Sequence, residues 1–399
     1  MPLPPSLWLY LASRFCAATA MTMLRAAVLW HVFSLSHSPF QMGLIGLVQF
    51  TPALLLMLLG GAVADTFDRR RVLMLTQLPP LAAGILLFLA TDRGFVSVPL
   101  IFGAIFLVAV AGAFDSPARA AFLPSLVGKE AFPRAVVFAS TTMALAFVTG
   151  PALQGLLIAQ TGVRTVYALY GGLIALALVF LSFLHPVEPA AAGGAMSVRA
   201  IREGVGFVRR SPVILGCMTL DMLAVIFGGA STLLPIYAYE ILGKGPRGYG
   251  VLAASLEMGS LLMALFMMTR PPVARAGRAL LLAVGVYGVA TIAFGFSRAF
   301  PLSVAAYMIA GMADQVSVIM RSTAIQLSTP NELRGRVSAV NMLFIGASNQ
   351  LGGAESGFVA ALTNATFSVV SGGVGCLVVL GIVAWRIPEL RAYRTPARV

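Results

Sequence analysis

The chain has 399 residues, of which 59% are hydrophobic and 10% are charged, and its mean hydropathy is +0.92. Soluble domains carry about 25% charged residues, so this composition excludes an ordinary soluble protein and is typical of a chain that crosses a membrane many times. The formal net charge of +13 does not indicate nucleic-acid binding, because the basic residues lie in short clusters between apolar runs and not on one solvated face. The three cysteines and three histidines show no metal, disulfide or catalytic spacing, so neither an enzyme nor a metal site is predicted.

Apolar stretches with the length of a membrane-spanning helix, roughly 20 residues, follow one another along the chain. In order they are residues 7–33, 42–64, 72–91, 94–114, 135–163, 165–187, 212–239, 248–269, 279–297, 300–320 and 337–385. The last stretch is long enough for two helices, divided near residues 363–365, so twelve spans are predicted. The first stretch lacks the basic start of a signal peptide, and it is longer than the apolar region of a typical signal peptide. It is therefore expected to remain as the first helix.

Basic residues in the loops indicate the topology, because Lys and Arg are retained on the cytoplasmic side of a membrane. With the N-terminus inside, twenty of the 27 basic residues fall in cytoplasmic segments and five in outer loops, while Arg14 and Arg25 lie within the first helix. Both termini are therefore predicted to be cytoplasmic. This distribution also explains the basic net charge without a nucleic-acid partner.

The longest loop divides the predicted helices into two bundles of six. Residues 1–186 form the first bundle and 213–386 the second, with a cytoplasmic linker at 187–212 and a cytoplasmic tail at 387–399. Within the linker, residues 197–210 predict a basic amphipathic helix. We interpret it as a connector on the anionic lipids of the inner leaflet, in preference to a regulatory site.

The two halves are similar to each other when the sequence is shifted by 202 positions. Three charged pairs then match in one loop: Arg119 with Arg321, Glu130 with Glu332, and Arg134 with Arg336. This pattern indicates a duplicated six-helix unit. Transporters built from parallel repeats place the substrate site between the halves, near the membrane midplane.

Four segments of the chain contain motifs of a known protein family. After the second helix, Gly61-Ala-Val-Ala-Asp65-Thr-Phe-Asp68-Arg69-Arg70-Arg71 is similar to the loop G-x-x-x-D-x-x-G-R-K/R of the major facilitator superfamily, with Asp68 in place of the Gly. Phe114-Asp-Ser-Pro-Ala-Arg119 and Leu123-Pro124 resemble the end of helix four in the enterobactin-exporter-like branch, also called the transmembrane secretion effector family.

Gly150-Pro-Ala-Leu-Gln-Gly155 resembles the end of the antiporter motif G-P-x-x-G-G, with Gln154 in place of a Gly. Residues 326–341, from Gln326-Leu-Ser-Thr-Pro to Ala-Val-Asn341, match this branch better than the superfamily at large.

The resemblance covers nearly the whole chain and implies an all-α membrane protein with the major facilitator fold, in which twelve transmembrane helices form two six-helix pseudo-repeats. It implies a monomeric secondary transporter in the bacterial cytoplasmic (inner) membrane. This protein would export a small molecule, such as a siderophore or a drug, by alternating access. The proton gradient would supply the energy, and no cofactor is expected. The alternatives are an uptake transporter or lipid flippase on the same fold, and a non-transporting membrane scaffold or sensor.

Charged residues inside the predicted spans are candidates for the transport site, because a charge near the bilayer centre costs roughly 2.5–3.5 kcal/mol even on the lenient insertion scale. They are the carboxylates Asp221, Glu257, Asp314 and Glu355 and the arginines Arg14 and Arg25. Eleven residues at about 100° each return the two arginines to nearly the same helix face, where they would attract an anionic substrate or oppose the carboxylates. One or more carboxylates, with Asp221 and Glu355 as first choices, would carry the coupling proton. The alternative is a set of static ion pairs, for instance Asp314 with Arg321.

Charged residues in the cytoplasmic loops predict a gate made of ion pairs between helices. They are Asp65, Arg69, Arg70, Arg71, Asp115, Arg119, Glu130, Arg334 and Arg336. The resemblance supports this role for Asp65, whereas topology and contact with anionic lipid also explain the arginines. Gly150, Pro151 and Gly155 predict a hinge in helix five, with close helix packing as the alternative.

Overall fold

A computed structural model describes residues 4–128, 130–184, 198–271 and 273–395. Throughout this part of the chain the regular structure is helical. Eleven of the described helices are long and apolar enough to cross a membrane. The remaining predicted span is the unbroken helix Arg334–Leu362, whose 29 residues include two arginines, two asparagines and a glutamate and are therefore more polar. The predicted all-α membrane fold of twelve long helices is confirmed.

Contacts divide the described residues into two compact units. Unit 1 comprises Met1–His37, Val48–Met196 and Gly245–Ala254. Its helices are α1 (Pro5–Ser36), α2 (Pro39–Thr66, from Val48 onward), α3 (Arg69–Asp92), α4 (Val98–Leu126), α5 (Phe132–Thr161) and α6 (Val163–Ser182).

The centre of unit 1 is α1, which packs against α4, α5 and α6. In its most apolar window 72% of the residues are buried, against 17–50% in the other candidate spans that the structure describes. Small residues explain the close packing, since Ala20 and Ala27 are fully buried and let neighbouring backbones approach. The structure thus places α1 where its polar side chains meet other helices.

Unit 2 comprises Ser38–Leu47, Ser197–Lys244 and Ser255–Val399. Its helices are α7 (Val198–Arg210), α8 (Pro212–Phe227), α9 (Leu234–Ile236), α10 (Gly245–Met268, from Ser255 onward), α11 (Ala276–Phe296), α12 (Phe300–Leu327), α13 (Arg334–Leu362), α14 (Ala365–Arg386) and α15 (Pro388–Ala392). Here α11 packs against α12 and α14, and α8 packs against α13 and α14.

The seventh predicted span is interrupted at Gly228 and Gly229, where α8 ends. The hydroxyl of Tyr287 on α11 donates to the Gly228 carbonyl oxygen at 2.9 Å, which satisfies a backbone acceptor that the break exposes. A 3₁₀ turn, α9 and a π-helical turn continue the span to Ile241. The sequence did not predict this irregular segment.

Two segments predicted to lie outside the bundles pack within unit 2. Val208 of α7 is buried in the unit's core, and a Cβ at Gly204 would lie 2.9 Å from the Arg336 carbonyl oxygen of α13. In the tail, Leu390 is fully buried, and the Thr395 amide donates to the carbonyl oxygen of Ala274 at 3.0 Å. One face of α7 therefore covers protein, and lipid contact stays a prediction for the opposite face.

Side-chain caps explain two of the helix starts. The Asn364 carboxamide accepts from the Phe367 amide at 2.8 Å and begins α14, within the region where the last apolar stretch was divided. Asp68, which replaces a glycine of the superfamily loop, accepts from the Arg70 amide at 2.9 Å and begins α3. Both are the short polar side chains that helix N-termini favour.

Candidate transport site

Arg14 and Arg25 lie along one less-buried stripe of α1. The stripe also contains Ala18 and Met21, whereas the positions around it, such as Met23, are buried. This spacing follows the helical repeat, so the structure places the two arginines on a common face as their spacing predicts. Their role toward a substrate stays a prediction.

Asp115 of α4 is the centre of a polar cluster in unit 1. It accepts hydrogen bonds from Thr76 Oγ1 at 3.1 Å and Gln77 Nε2 at 2.7 Å, both on α3. Arg119, one turn further along α4, donates through Nε at 2.5 Å. The side chains of Asp115 and Arg119 are 19% and 12% exposed, so this ion pair is largely shielded from solvent.

Tyr10 of α1 joins Arg14 to this cluster. Its hydroxyl accepts from Arg14 Nη1 at 3.2 Å and donates to the carbonyl oxygen of Arg119 at 3.2 Å. Arg14 was predicted to belong to a cavity, and Arg119 to a separate gate. The structure brings them together through a tyrosine that the sequence did not single out.

The three arginines that begin α3 differ in their surroundings. Arg69 is buried. Arg70 donates through Nε to the Leu181 carbonyl oxygen at 3.0 Å and through Nη2 to that of Ser182 at 2.6 Å, so it caps the end of α6. Arg71 is 80% exposed and lies 3.6 Å from Asp68. The side chain of Asp65, the leading gate candidate, lies outside the described residues.

The remaining gate candidates do not form one described cluster. Glu130 and Arg334 are exposed. Arg336 Nη1 lies 2.7 Å from Glu203 Oε2 of α7, a partner on the linker helix that no sequence pattern indicates. The gate therefore stays a prediction.

In unit 2, Asp221 of α8 forms an ion pair with Arg321 of α12. Their side chains are 9% and 5% exposed, so the pair is nearly sealed from solvent. The pairing of Asp314 with Arg321, considered as the static alternative, is wrong among the described residues, because Arg321 meets a carboxylate from another helix. Nothing in the spacing of these residues indicates that partner.

Asp314 and Glu355 are half-buried carboxylates of unit 2. Glu355 of α13 accepts a hydrogen bond from Ser356 Oγ at 3.3 Å. Among the described residues neither carboxylate has a cationic side chain within 4.0 Å. They differ in this respect from Asp221.

Glu257 and Asp314 flank a contact at which α10 and α12 pack through small residues. Ser260 Oγ donates to the Gly311 carbonyl oxygen at 2.9 Å, and a Cβ at Gly259 would lie 2.1 Å from the Met308 carbonyl oxygen. Glu257 precedes Ser260 by one turn, and Asp314 follows Gly311 by one turn. The two half-buried carboxylates therefore lie near one helix contact.

The predicted hinge of α5 is also a place of close packing. A Cβ at Gly150 would lie 2.0 Å from Thr22 Oγ1 of α1, and one at Gly155 would lie 2.4 Å from the Cα of Gly250. Pro151 is buried between them. Close packing explains both glycines, and bending at this place stays a prediction.

A separate cavity of about 290 Å³ in unit 2 is lined by Met267, Met268, Arg270, Thr323 and Thr395, among others. None of the predicted site residues lines it. Its lining of apolar side chains, two threonines and one arginine contains no carboxylate, so it adds nothing to the predicted proton pathway.

Comparisons with known proteins agree with this architecture. Residues 6–397 match the transmembrane secretion effector family. The chain is 25% identical over 391 residues to the enterobactin exporter EntS of Escherichia coli O139:H28 and to that of Shigella boydii serotype 18, covering 97% of this chain and 93% of each relative.

Solved structures share the fold at lower identity. A POT family transporter in complex with 5-aminolevulinic acid matches over 97% of both chains, with a TM-score of 0.73 and 13% identity. A bacterial homologue of the human lysosomal transporter Spinster matches over 98% of both chains, with a TM-score of 0.72 and 15% identity. With the family match over nearly its full length, the chain is a multi-pass membrane transporter that belongs to the transmembrane secretion effector branch of the major facilitator superfamily.

Proposed function

We propose that this transporter is a proton-driven antiporter that exports a small molecule, siderophore-like or drug-like, by alternating access. It lies in the bacterial inner membrane with both termini in the cytoplasm, as a monomer in contact with anionic lipids of the inner leaflet. The name of its relatives, enterobactin exporter, supports export and a siderophore-like cargo.

The observation that supports proton coupling is the pair of half-buried carboxylates, Asp314 and Glu355, without a cationic partner among the described residues. A carboxylate in poor solvent contact and without a fixed counter-ion can exist in protonated and ionised forms as its surroundings change. Asp221 is different, because Arg321 stabilises its ionised form and the pair must separate before Asp221 takes a proton. Glu355 and Asp314 are therefore our choices for the proton-carrying residues.

The test is gradient-driven accumulation in reconstituted proteoliposomes, with enterobactin as the probe. An antiporter accumulates its substrate on the acidic side whatever its orientation, because inward substrate movement is coupled to outward proton movement. We expect accumulation in vesicles with an acidic lumen and its loss when nigericin collapses the gradient. Glu355→Gln or Asp314→Asn should abolish the accumulation but leave exchange of labelled for unlabelled enterobactin at zero gradient.

Asp92→Asn is the matched control, since Asp92 is a partly exposed acid at a helix end, and it should accumulate enterobactin like the wild type. Accumulation that ignores the gradient would remove proton coupling from the proposal. Accumulation in an alkaline lumen would indicate a proton symporter, hence uptake. Movement of fluorescent phospholipid without enterobactin transport would indicate a flippase.

A further inference from the structure

Several guanidinium nitrogens in the polar cluster around Tyr10 have no acceptor. Arg119 donates to Asp115 through Nε. Its Nη1 and Nη2, and the Nε of Arg14, are buried and lack a hydrogen-bond partner among the described residues. A buried donor without an acceptor is unfavourable, and more so when it is charged. Arg321 of unit 2 also has two such nitrogens, but they belong to one arginine that is paired with a carboxylate, whereas the cluster around Tyr10 brings two arginines together.

The charges of this cluster do not balance either. Arg14 and Arg119 contribute two positive charges, and Asp115 is the one carboxylate hydrogen-bonded to them among the described residues. Charges away from water are normally paired, because an unpaired buried charge is strongly unfavourable. The cluster therefore has an excess positive charge that an anion would neutralise.

The internal repeat shows that this excess is specific to unit 1. Arg321 of unit 2 matches Arg119 in the repeat, and Asp221 of α8 neutralises it. The position in α1 that matches Asp221 is Thr19, which is uncharged. The corresponding arginine of unit 1 thus has no carboxylate from the first helix of its bundle, and that helix supplies a second cation, Arg14.

The cluster lies near the end of unit 1 that is predicted to face the cytoplasm. Tyr10 and Arg14 are in the first three turns of α1, and Arg119 precedes the end of α4 by seven residues, or about 10 Å at 1.5 Å per residue. An exported substrate enters from this side. A site at this depth is suited to first contact with the substrate.

We propose that Arg14 and Arg119 bind a carboxylate or phosphate group of the transported molecule, with Tyr10 positioning Arg14. The fork of a guanidinium group matches the two oxygens of such anions. This inference rests on the proposed transport of a small molecule and names the chemical class of that molecule.

The test is equilibrium dialysis of the purified protein, in micelles of neutral detergent, with radiolabelled benzoate and phenyl phosphate as anionic probes. Benzamide, the neutral analogue of benzoate, should bind at least tenfold more weakly. Arg14→Gln and Arg119→Gln should each lower benzoate affinity at least tenfold. Arg71→Gln is the matched control, because it removes an exposed arginine from the same end of unit 1, and it should bind like the wild type.

Folding is monitored separately by thermal unfolding, and Arg119→Lys provides a variant that keeps the charge beside Asp115. It should unfold like the wild type yet bind benzoate several-fold more weakly, because lysine lacks the fork. Three results would each overturn the site. They are wild-type benzoate affinity in the folded Arg14→Gln and Arg119→Gln variants, binding of benzamide as tight as that of benzoate, and a loss of benzoate affinity in Arg71→Gln equal to the loss in the other two variants.

Nanodiscs distinguish a substrate anion from a lipid headgroup. Benzoate should bind equally in phosphatidylcholine discs and in discs containing phosphatidylglycerol, and displacement by the anionic lipid would overturn the assignment to substrate. Arginine-dependent binding of benzoate without any gradient-driven transport would refute the proposed function but leave the anion site in place. Gradient-driven transport with unchanged binding in both arginine variants would refute the anion site alone.

Discussion

The ion pair of Asp221 with Arg321 provides a quantitative test of how unit 2 is held together. With side chains only 9% and 5% exposed, water screens the pair little. Two unit charges 4 Å apart attract by about 4 kcal/mol at an effective dielectric constant of 20, and removal of one partner from a buried pair costs about 3–5 kcal/mol because the other charge stays unpaired. Asp221→Asn and Arg321→Gln should each lower the free energy of unfolding by about this amount.

The double variant should lose much less than the sum of the two single losses, since it leaves no buried charge unpaired. A double-mutant cycle should therefore give a coupling energy of about 3 kcal/mol, measured by chemical unfolding in mixed micelles. The matched cycle is Asp92 with Arg164, whose atoms lie 2.7 Å apart but whose side chains are 38% and 56% exposed. There the coupling should be about 0.2–1 kcal/mol.

Equal coupling in the two cycles would refute the reasoning, because burial would then make no difference to the strength of the pair. Wild-type stability of Asp221→Asn would refute it as well. If Asp221→Asn were as stable as the wild type but had lost gradient-driven accumulation, Asp221 would be assigned to the proton-coupling site, as the sequence first suggested.

Three further substitutions test local packing and capping. Gly250→Ala should lower the melting temperature in detergent, because its Cβ would lie 2.5 Å from a backbone atom of α5, whereas Gly171→Ala has open space and should not lower it. Arg70→Ala should lower the free energy of unfolding by about 1.5 kcal/mol through the loss of two hydrogen bonds to the end of α6, and Arg71→Ala by less than about 0.5 kcal/mol. Asn364→Ala should cost about 1 kcal/mol by removing the cap of α14, with Asn364→Ser restoring most of it.

Local features of the chain were predictable because their physical causes are local. Transfer of apolar side chains out of water depends on composition over about 20 residues, so the spans and the division near residues 363–365 follow directly from the sequence. The amphipathic helix α7 was predictable for the same reason, since its pattern repeats with the helical period. The common face of Arg14 and Arg25 needs only the geometry of one helix.

Irregular backbone was not predictable from these patterns. Gly228 and Gly229 lie in an apolar run that would support a continuous helix. The break there depends on an acceptor being satisfied by Tyr287 of α11. A residue almost sixty positions away therefore helps to stabilise the end of α8.

The sequence alone indicated a duplicated helical membrane protein, the charged residues within its spans and its resemblance to a family of transporters. The partners of those charges are visible only in the folded chain: Arg321 with Asp221 of α8, Arg336 with Glu203 of α7, and Arg14 joined through Tyr10 to Arg119. The cost of burying a charge is a property of one residue and its surrounding run. Its compensation depends on which helices pack side by side, and no local pattern records that.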